Sequence, residues 1–380
     1  MIKKRFYKVV LFSIACMMFL KIWQSKQINT LSPEYMQQYD GSTDTLGSAP
    51  YRDVTSREHV PSDSVQMFKE ESSKSCVKRF PKAIIPGVAK CGTFALLYFL
   101  RKHPQIAARV LTDKEPNFFS RRGSYHERYN ELFEFLSEIN PEERLLNITS
   151  QQWNYSNENG NFKRPSDLDL YREIMPCSYS NQITMEKSPT YFLSKFAAER
   201  IKALDANIKL IFIVKEPVER ILSHIAMFND LGKNDSNLSV ENTVFAKSAD
   251  RSNKTVDGDA TVITISDYQL HIRSWLDHFR REQILFIDGD EMVRYPLGEL
   301  KKVEQFLDIK PFFNRSMFKY NESKGKYCFV NGKDSESECL RKGKGREHPK
   351  INAETRKLLQ EYFAPKNEQF FRLVNRTFDW

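Results

Sequence analysis

Ala83-Ile-Ile-Pro-Gly-Val-Ala-Lys-Cys-Gly-Thr93 is the stretch whose reading decides the fold. Residues 83–88 read as a strand, with Pro86 awkward in it because proline has no N–H to give a central ladder. Gly87-Val-Ala-Lys-Cys-Gly-Thr93 is then a turn of small residues ahead of a helical pattern over residues 94–102. A strand, a small-residue turn and a helix N-terminus together make a phosphate cradle, because unpaired N–H groups and the positive end of the helix dipole face the anion. Gly92 lets the backbone approach closely, Thr93 is expected to cap the helix and bond a phosphate oxygen, and Lys90 to reach a bridging oxygen. The Gly-Lys-Ser/Thr ending of a Walker A loop is absent. The same residues also fit an ordinary tight strand–helix turn.

Working outward, Lys209-Leu-Ile-Phe-Ile-Val214 is the clearest strand, a continuous apolar run suited to a buried parallel sheet. Lys215-Glu-Pro-Val-Glu-Arg220 and then Ser223 follow it. Lys215 stands at the carboxyl end of a parallel strand, where open α/β sheets bind ligands. Pro217 suits the first turn of a helix. Lys215 and Ser223 together are expected to hold a second phosphate, although each alone reads as a solvated polar residue. A third strand spans residues 284–287 and ends at Asp288-Gly289-Asp290. Helical patterns cover residues 191–203, 218–229, 268–280 and 297–307. Strands and helices thus alternate from Arg79 onward, which predicts an α/β domain with a parallel sheet. Residues 229–259 are polar, and read as a surface loop or loosely helical insertion with few core candidates.

At 380 residues the chain has room for one catalytic domain and an appendage. Its 40% hydrophobic and 13% aromatic content suffices for a sizeable core. The formal charge of +9 favours an anionic partner without choosing one. Lys3, Lys4 and Arg5 precede an apolar run from Val9 to Leu20, flanked by Phe6, Tyr7, Ile22 and Trp23. The expected organisation is a cytoplasmic tail (1–8), a signal-anchor segment (9–23), a disordered lumenal stem (24–77) and a catalytic domain (78–380). A cleaved signal peptide is the competing reading, but no small-x-small site follows Leu20. Both readings send the domain into the secretory pathway, which disfavours a nucleic-acid partner. Eight Asn-x-Ser/Thr sequons agree with that route. Cys328 and Cys339 flank the turn pair Asn331-Gly332, and a local disulfide is expected to close that hairpin. Cys76 pairs with Cys177 or with nothing. No Cys/His set has metal-ligand spacing, so no metal is expected.

The order and spacing of several stretches carry a resemblance. They are Pro81 to Thr93, Glu115-Pro-Asn-Phe-Phe119, Glu186-Lys-Ser-Pro-Thr-Tyr-Phe192, Ile287-Asp-Gly-Asp290, Lys344-Gly-Arg346 with His348-Pro349, and Arg376-Thr-Phe-Asp-Trp380. From about Lys78 to Trp380 the chain resembles the heparan sulfate glucosamine 3-O-sulfotransferases. The resemblance implies a P-loop-like sulfotransferase fold, a central parallel sheet flanked by helices. It implies 3′-phosphoadenosine 5′-phosphosulfate (PAPS) as co-substrate, without metal, heparan sulfate or a related glycosaminoglycan as partner, and a single-pass type II place in the Golgi membrane.

Residue by residue, it implies that Lys90, Cys91, Gly92, Thr93 and Phe94 hold the 5′-phosphosulfate, and Lys215 and Ser223 the 3′-phosphate. Tyr327 touches the nucleotide, and Lys344, Gly345, Arg346, Glu347 and His348 close over it. Glu115 is matched to the catalytic base and Lys187 to a lysine near the sulfuryl group. Asn117, Lys187, Ser188, Pro189, Thr190 and Trp275 fall at acceptor positions, though Trp275 also reads as core from its helical spacing with Leu270 and Phe279. An alcohol is a poor nucleophile at neutral pH, so Glu115 would take its proton while Lys90 and Lys187 stabilise charge on the leaving phosphate. The chain departs from the family pattern at Phe94, where arginine is usual, and at Cys91, Asn117, Ser120, Lys215 and His224-Ile225. The donor scaffold is better kept than the acceptor wall. Two other readings therefore accompany the first: a sulfotransferase acting on a different glycan hydroxyl, and a catalytically weak relative that binds heparan sulfate.

Overall fold

The apolar runs of the sequence become neighbours in one sheet. The computed structural model describes residues 75–108, 115–120, 167–230, 238–246, 254–330, 337–340 and 346–380, and its elements lie within the unit Thr55–Trp380. In chain order they are β1 (Val77–Lys78), β2 (Ala83–Gly87), α1 (Thr93–Leu100), β3 (Ile106–Ala108), α2 (Asp167–Glu173), β4 (Cys177–Ser178) and β5 (Ile183–Lys187). A 3₁₀ turn, Pro189–Leu193, leads to α3 (Ala197–Leu204), β6 (Lys209–Val214), α4 (Pro217–Asp230), α5 (Val240–Val244), α6 (Thr261–Ser266) and α7 (Tyr268–His278). Then come β7 (Ile284–Asp288), α8 (Gly289–Arg294), α9 (Pro296–Leu307), β8 (Phe318–Asn321), β9 (Lys326–Val330), β10 (Ser337–Glu338) and α10 (Ala353–Val374).

Five strands form a wholly parallel sheet in the order β3-β5-β2-β6-β7. β2 lies at its centre and is buried along its whole length. The register between β2 and β6 shifts between Ile84 and Gly87, so Pro86 sits in an irregularity where a missing N–H costs the ladder little. Regular bonding resumes when Val88 N–H donates to the carbonyl of Ile213 at 2.9 Å. On one sheet face Phe212 and Phe286 stack, with Trp275 of α7 against the first and Phe370 of α10 against the second. α1 and α9 pack together as another group, so helices flank the sheet.

Two pieces of the sheet, the edge strand β3 and its neighbour β5, are absent from the sequence reading. Thr184, Glu186 and Lys187 give β5 a polar look, although all three are buried. The expected helix over 191–203 divides into the 3₁₀ turn and α3, with Ser194 extended between them. The polar stretch 229–259 also differs from expectation. Val240 and Val244 are buried in a second apolar cluster with Val218, Ile221, Leu222, Ile225, Leu359 and Phe363. Residues 231–237 and 247–253 lie outside the described residues.

β8, β9 and β10 make a small antiparallel sheet. Cys328 and Cys339 are disulfide-bonded across β9 and β10, as the hairpin reading expects, with Cα atoms 4.4 Å apart. Cys76 is bonded to Cys177, with Cα atoms 5.6 Å apart, beside the short β1–β4 pair. The tail, the anchor segment 9–23 and nearly all of the stem fall outside the described residues. Among the described residues no helix is long and apolar enough to cross a membrane.

Candidate functional site

In a parallel sheet the carboxyl ends of neighbouring strands lie side by side. Here those ends are Lys187 of β5, Gly87 of β2, Val214 of β6 and Asp288 of β7. Strand spacing places β5 and β6 about 10 Å apart, with the β2 loop between them.

That loop, Val88–Gly92, turns sharply because Lys90 and Gly92 both take left-handed backbone, at φ 75° and 107°. Gly92 is the residue before α1, and no side chain caps the helix. Thr93 is the first helical residue, which corrects the expectation that its hydroxyl forms the cap. The loop rests on the β7–α8 turn. A Cβ at Gly289 would fall inside contact of the Cys91 carbonyl oxygen and 2.9 Å from that of Val214. Phe94 and Lys90 are half-buried.

Cys91 points inward. Its thiol lies 3.4 Å from the Tyr268 hydroxyl, which donates to the carbonyl of Lys215 at 2.8 Å. Burial pushes this thiol up to about 11, so it stays protonated. Through Tyr268 the Cys91 side chain ties the β2 loop to the loop after β6. Lys215 is paired with Asp290 at 3.0 Å. Asp290 is placed by the cap of α8, where Asp288 accepts from the N–H groups of Asp290 and Glu291.

Ser223 is half-buried on α4, one turn beyond Glu219. The segment from Arg346 to Pro349 runs beside the same helix. Arg346 Nε lies 2.6 Å from Asp230 Oδ2, and His348 Nδ1 lies 3.0 Å from Glu219. Arg356 of α10 reaches the other oxygen of Glu219 at 2.9 Å. His348 and then Arg356 pull the Glu219 carboxyl down to about 2, against the opposing effect of burial. Arg346, Glu347, His348 and Pro349 face Ala226, Asn229 and Asp230 across a groove. Lys344 and Gly345 lie outside the described residues.

At the other end of the edge, Lys187 forms an ion pair with Glu115. Buried polar groups set this pair in place. Glu186, fully buried, accepts from Tyr171 Oη at 3.0 Å and Ser188 Oγ at 2.9 Å. Ser188 Oγ in turn accepts from the N–H of Asn117 at 3.0 Å, and Thr190 Oγ1 donates to Asn117 Oδ1 at 2.6 Å. Asn117 takes left-handed backbone, and the N–H of Phe118 donates to Tyr191 Oη at 2.9 Å. Asn117, Ser188 and Thr190 are thus buried groups that fasten the Glu115 segment to the end of β5, with Pro189 buried beside them. Trp275 takes the core place that its helical spacing allows rather than an exposed one: it is fully buried against Phe212 and Phe279, its indole N–H aimed at the carbonyl of Phe192.

Tyr327 is half-buried on β9, its ring 5.6 Å from Tyr295 and 5.3 Å from Tyr320. Tyr295 follows α8, which starts under the β2 loop, so the ring cluster borders the same side of the sheet. Glu338 of β10 fastens the hairpin to α1 through Lys102 at 2.7 Å and Tyr98 at 3.0 Å.

One residue that sequence reasoning passed over is Arg220. It is fully buried on α4 and bonds the carbonyl of Ala89 in the β2 loop at 3.2 Å. Its one local signal is His224, four positions on along the same helix face, whose ring it meets.

The arrangement sets two lysine-bearing loops on neighbouring strands, with a carboxylate–ammonium pair next to them. Comparison with known proteins bears on what uses it. The sulfotransferase domain model matches residues 80–372. The heparan sulfate glucosamine 3-O-sulfotransferase 3B1 of Mus musculus is 34% identical over 304 residues, which is 80% of this chain and 65% of that protein. The chain therefore spans just under two thirds of that relative's length. Its counterpart 3B1 of Homo sapiens is 33% identical over 319 residues, 84% of this chain and 69% of that protein. Among solved structures, a sulfotransferase from Alicyclobacillus acidocaldarius aligns with a TM-score of 0.50 at 20% identity, covering 79% of this chain and 98% of that one. That likeness concerns the fold.

Proposed function

The chain belongs to the sulfotransferase domain family and to its heparan sulfate glucosamine 3-O-sulfotransferase members, and from this premise we propose that it moves a sulfuryl group from PAPS to the 3-hydroxyl of glucosamine in heparan sulfate. The observation that carries the proposal is the Glu115–Lys187 ion pair, set at the carboxyl edge of the sheet beside the Val88–Gly92 loop.

The loop and Lys90 would hold the 5′-phosphosulfate, and Lys215 with Ser223 the 3′-phosphate. Glu115 would take the proton of the attacking hydroxyl, and Lys187 would face the charge that grows on the leaving phosphate oxygen. The S–O bond to the donor breaks as the bond to the acceptor oxygen forms, so the proton on Glu115 and the bisphosphate product balance the step. Positioning and electrostatics would supply the rate enhancement, as in phosphoryl transfer. Arg346, Glu347 and His348, already beside α4, would close over the nucleotide with Lys344 and Gly345, and Tyr327 would border its base. The two disulfides support an oxidising compartment. Segment 9–23 would anchor the chain in the Golgi membrane with residues 78–380 in the lumen.

The test is transfer of radiolabelled sulfate by the chain to heparan sulfate, desulfated heparin, chondroitin and keratan, with product disaccharides mapped. Label on glucosamine O3 is the expected result. Label at another hydroxyl would reassign the acceptor. Folded protein that binds heparan sulfate but neither binds nor uses the donor would overturn the enzymatic reading.

A further inference from the structure

Behind the β2 loop lies a buried charge that the chemistry above does not use. Arg220 donates from Nε to the carbonyl of Ala89 at 3.2 Å, and from Nη1 to the carbonyl of Val262 at 3.0 Å and Ser266 Oγ at 2.8 Å. Its Nη2 lies 2.6 Å from His224 Nδ1. Those partners are two carbonyls, a hydroxyl and an imidazole. Among the described residues no carboxylate stands within ion-pair distance of it. His224 is 1% exposed, and its Nδ1 must keep a lone pair to accept from the guanidinium, so the ring is neutral with its proton on Nε2. Burial, then Arg220 and Lys90, hold its pKa well below the ordinary range, in keeping with that state.

A cation buried without a counter-charge is costly, and arginine cannot shed its proton to escape the cost. The bond to Ala89 shows where the charge is directed. The peptide joining Ala89 and Lys90 is planar and trans, so a carbonyl turned in toward Arg220 sends the Lys90 N–H to the opposite side of the loop. The left-handed residues Lys90 and Gly92 then shape the rest of the turn. The guanidinium and the Ala89–Lys90 peptide dipole thus add their positive potential on the side to which the Lys90 N–H points.

We propose that Arg220 is a positioning residue for the sulfuryl donor: it orients the amides of the β2 loop and keeps behind them a positive charge that neutral His224 leaves uncompensated. Arg220 acts through the loop and does not touch the donor. The inference rests on the donor reading given under Proposed function.

His224→Asn and His224→Asp form the discriminating pair. Both present an oxygen to Nη2 and are near-isosteric, but only the aspartate brings a negative charge. Affinity for adenosine 3′,5′-bisphosphate is measured by calorimetry and folding by thermal melting. The aspartate variant is expected to bind about five- to tenfold more weakly than the asparagine variant, the effect of one charge some 10 Å away, while melting no lower. A purely structural Arg220 predicts the reverse, because an ion pair anchors it at least as well. Equal or tighter binding by the aspartate variant overturns the proposal. Should that variant not fold, Ser266→Asp against Ser266→Asn sets the same charge beside Nη1 and decides in the same way. Folded unaltered protein that fails to bind the bisphosphate overturns the donor reading, and this inference with it.

Discussion

Glu115 and Lys187 are 72 positions apart in the chain and meet in one ion pair. Neither residue signals its role by type, since Lys114-Glu115-Pro116 also suits a surface loop. What the fold adds is the fastening: Glu186 holds Ser188, Ser188 holds Asn117, and Thr190 takes the Asn117 side chain. Burial and these bonds hold the segment in place, which the proposed general base needs if its oxygen is to stay within reach of the acceptor hydroxyl. Glu115→Gln keeps the shape and removes the base. It is expected to leave bisphosphate binding intact and lower turnover by about two or more orders of magnitude, read by calorimetry and by sulfate transfer. Turnover near that of the unaltered protein would remove Glu115 from the mechanism.

At the scale of elements, two packings decide whether the donor loops keep their form. The β2 loop lies on the backbone of the β7–α8 turn, where a Cβ at Gly289 has no room. Gly289→Ala forces the loop outward, and is expected to cost about 1–3 kcal/mol of stability as overpacking does, with weaker bisphosphate binding alongside. Denaturant titration and calorimetry read the two effects; an unshifted midpoint would mean that the turn yields freely. The second packing is α4 against the Arg346–Pro349 segment and α10, held at Glu219 by His348 and Arg356. The Glu219 carboxyl titrates at about 2 when folded against 4.5 ordinarily. A depressed folded pKa stabilises fully above the ordinary value and loses that contribution as pH falls toward the folded one. The melting temperature of the unaltered chain should therefore exceed that of Glu219→Gln in mildly acidic buffer. The gap should close as pH drops from 4.5 toward about 2. A gap that ignores pH in that window would refute the ion-pair account.

At the scale of the whole molecule, the Cys76–Cys177 bond closes a loop of 101 positions and ties the start of the domain to the strand pair ahead of β5. Replacing both cysteines with serine is expected to cost about 2–4 kcal/mol in denaturant unfolding, and no loss would mean that the short β1–β4 pair suffices alone. How much of this architecture is legible in the sequence depends on where each element gets its stability. β6 and β7 are apolar runs whose burial is written in their composition, and α4, α7 and α9 carry helical periodicity, so local pattern alone determined them. The same holds for the β2 loop, where small residues between strand and helix announce a tight turn, and for the Cys328–Cys339 hairpin. β5 escaped because Thr184, Glu186 and Lys187 are polar side chains whose partners come from distant segments, among them Tyr171 and Glu115. A buried polar residue looks solvated until its hydrogen-bond partners are known. Arg220 escaped for the same reason, since only the folded chain brings Ala89, Val262, Ser266 and His224 around it. The sequence by itself determined the α/β class, the family and the tight loop after β2, because those follow from local pattern and spacing. The tertiary structure alone decided which polar groups stand in the site and which lie beneath it, because burial and pairing are properties of contacts between segments far apart in the chain.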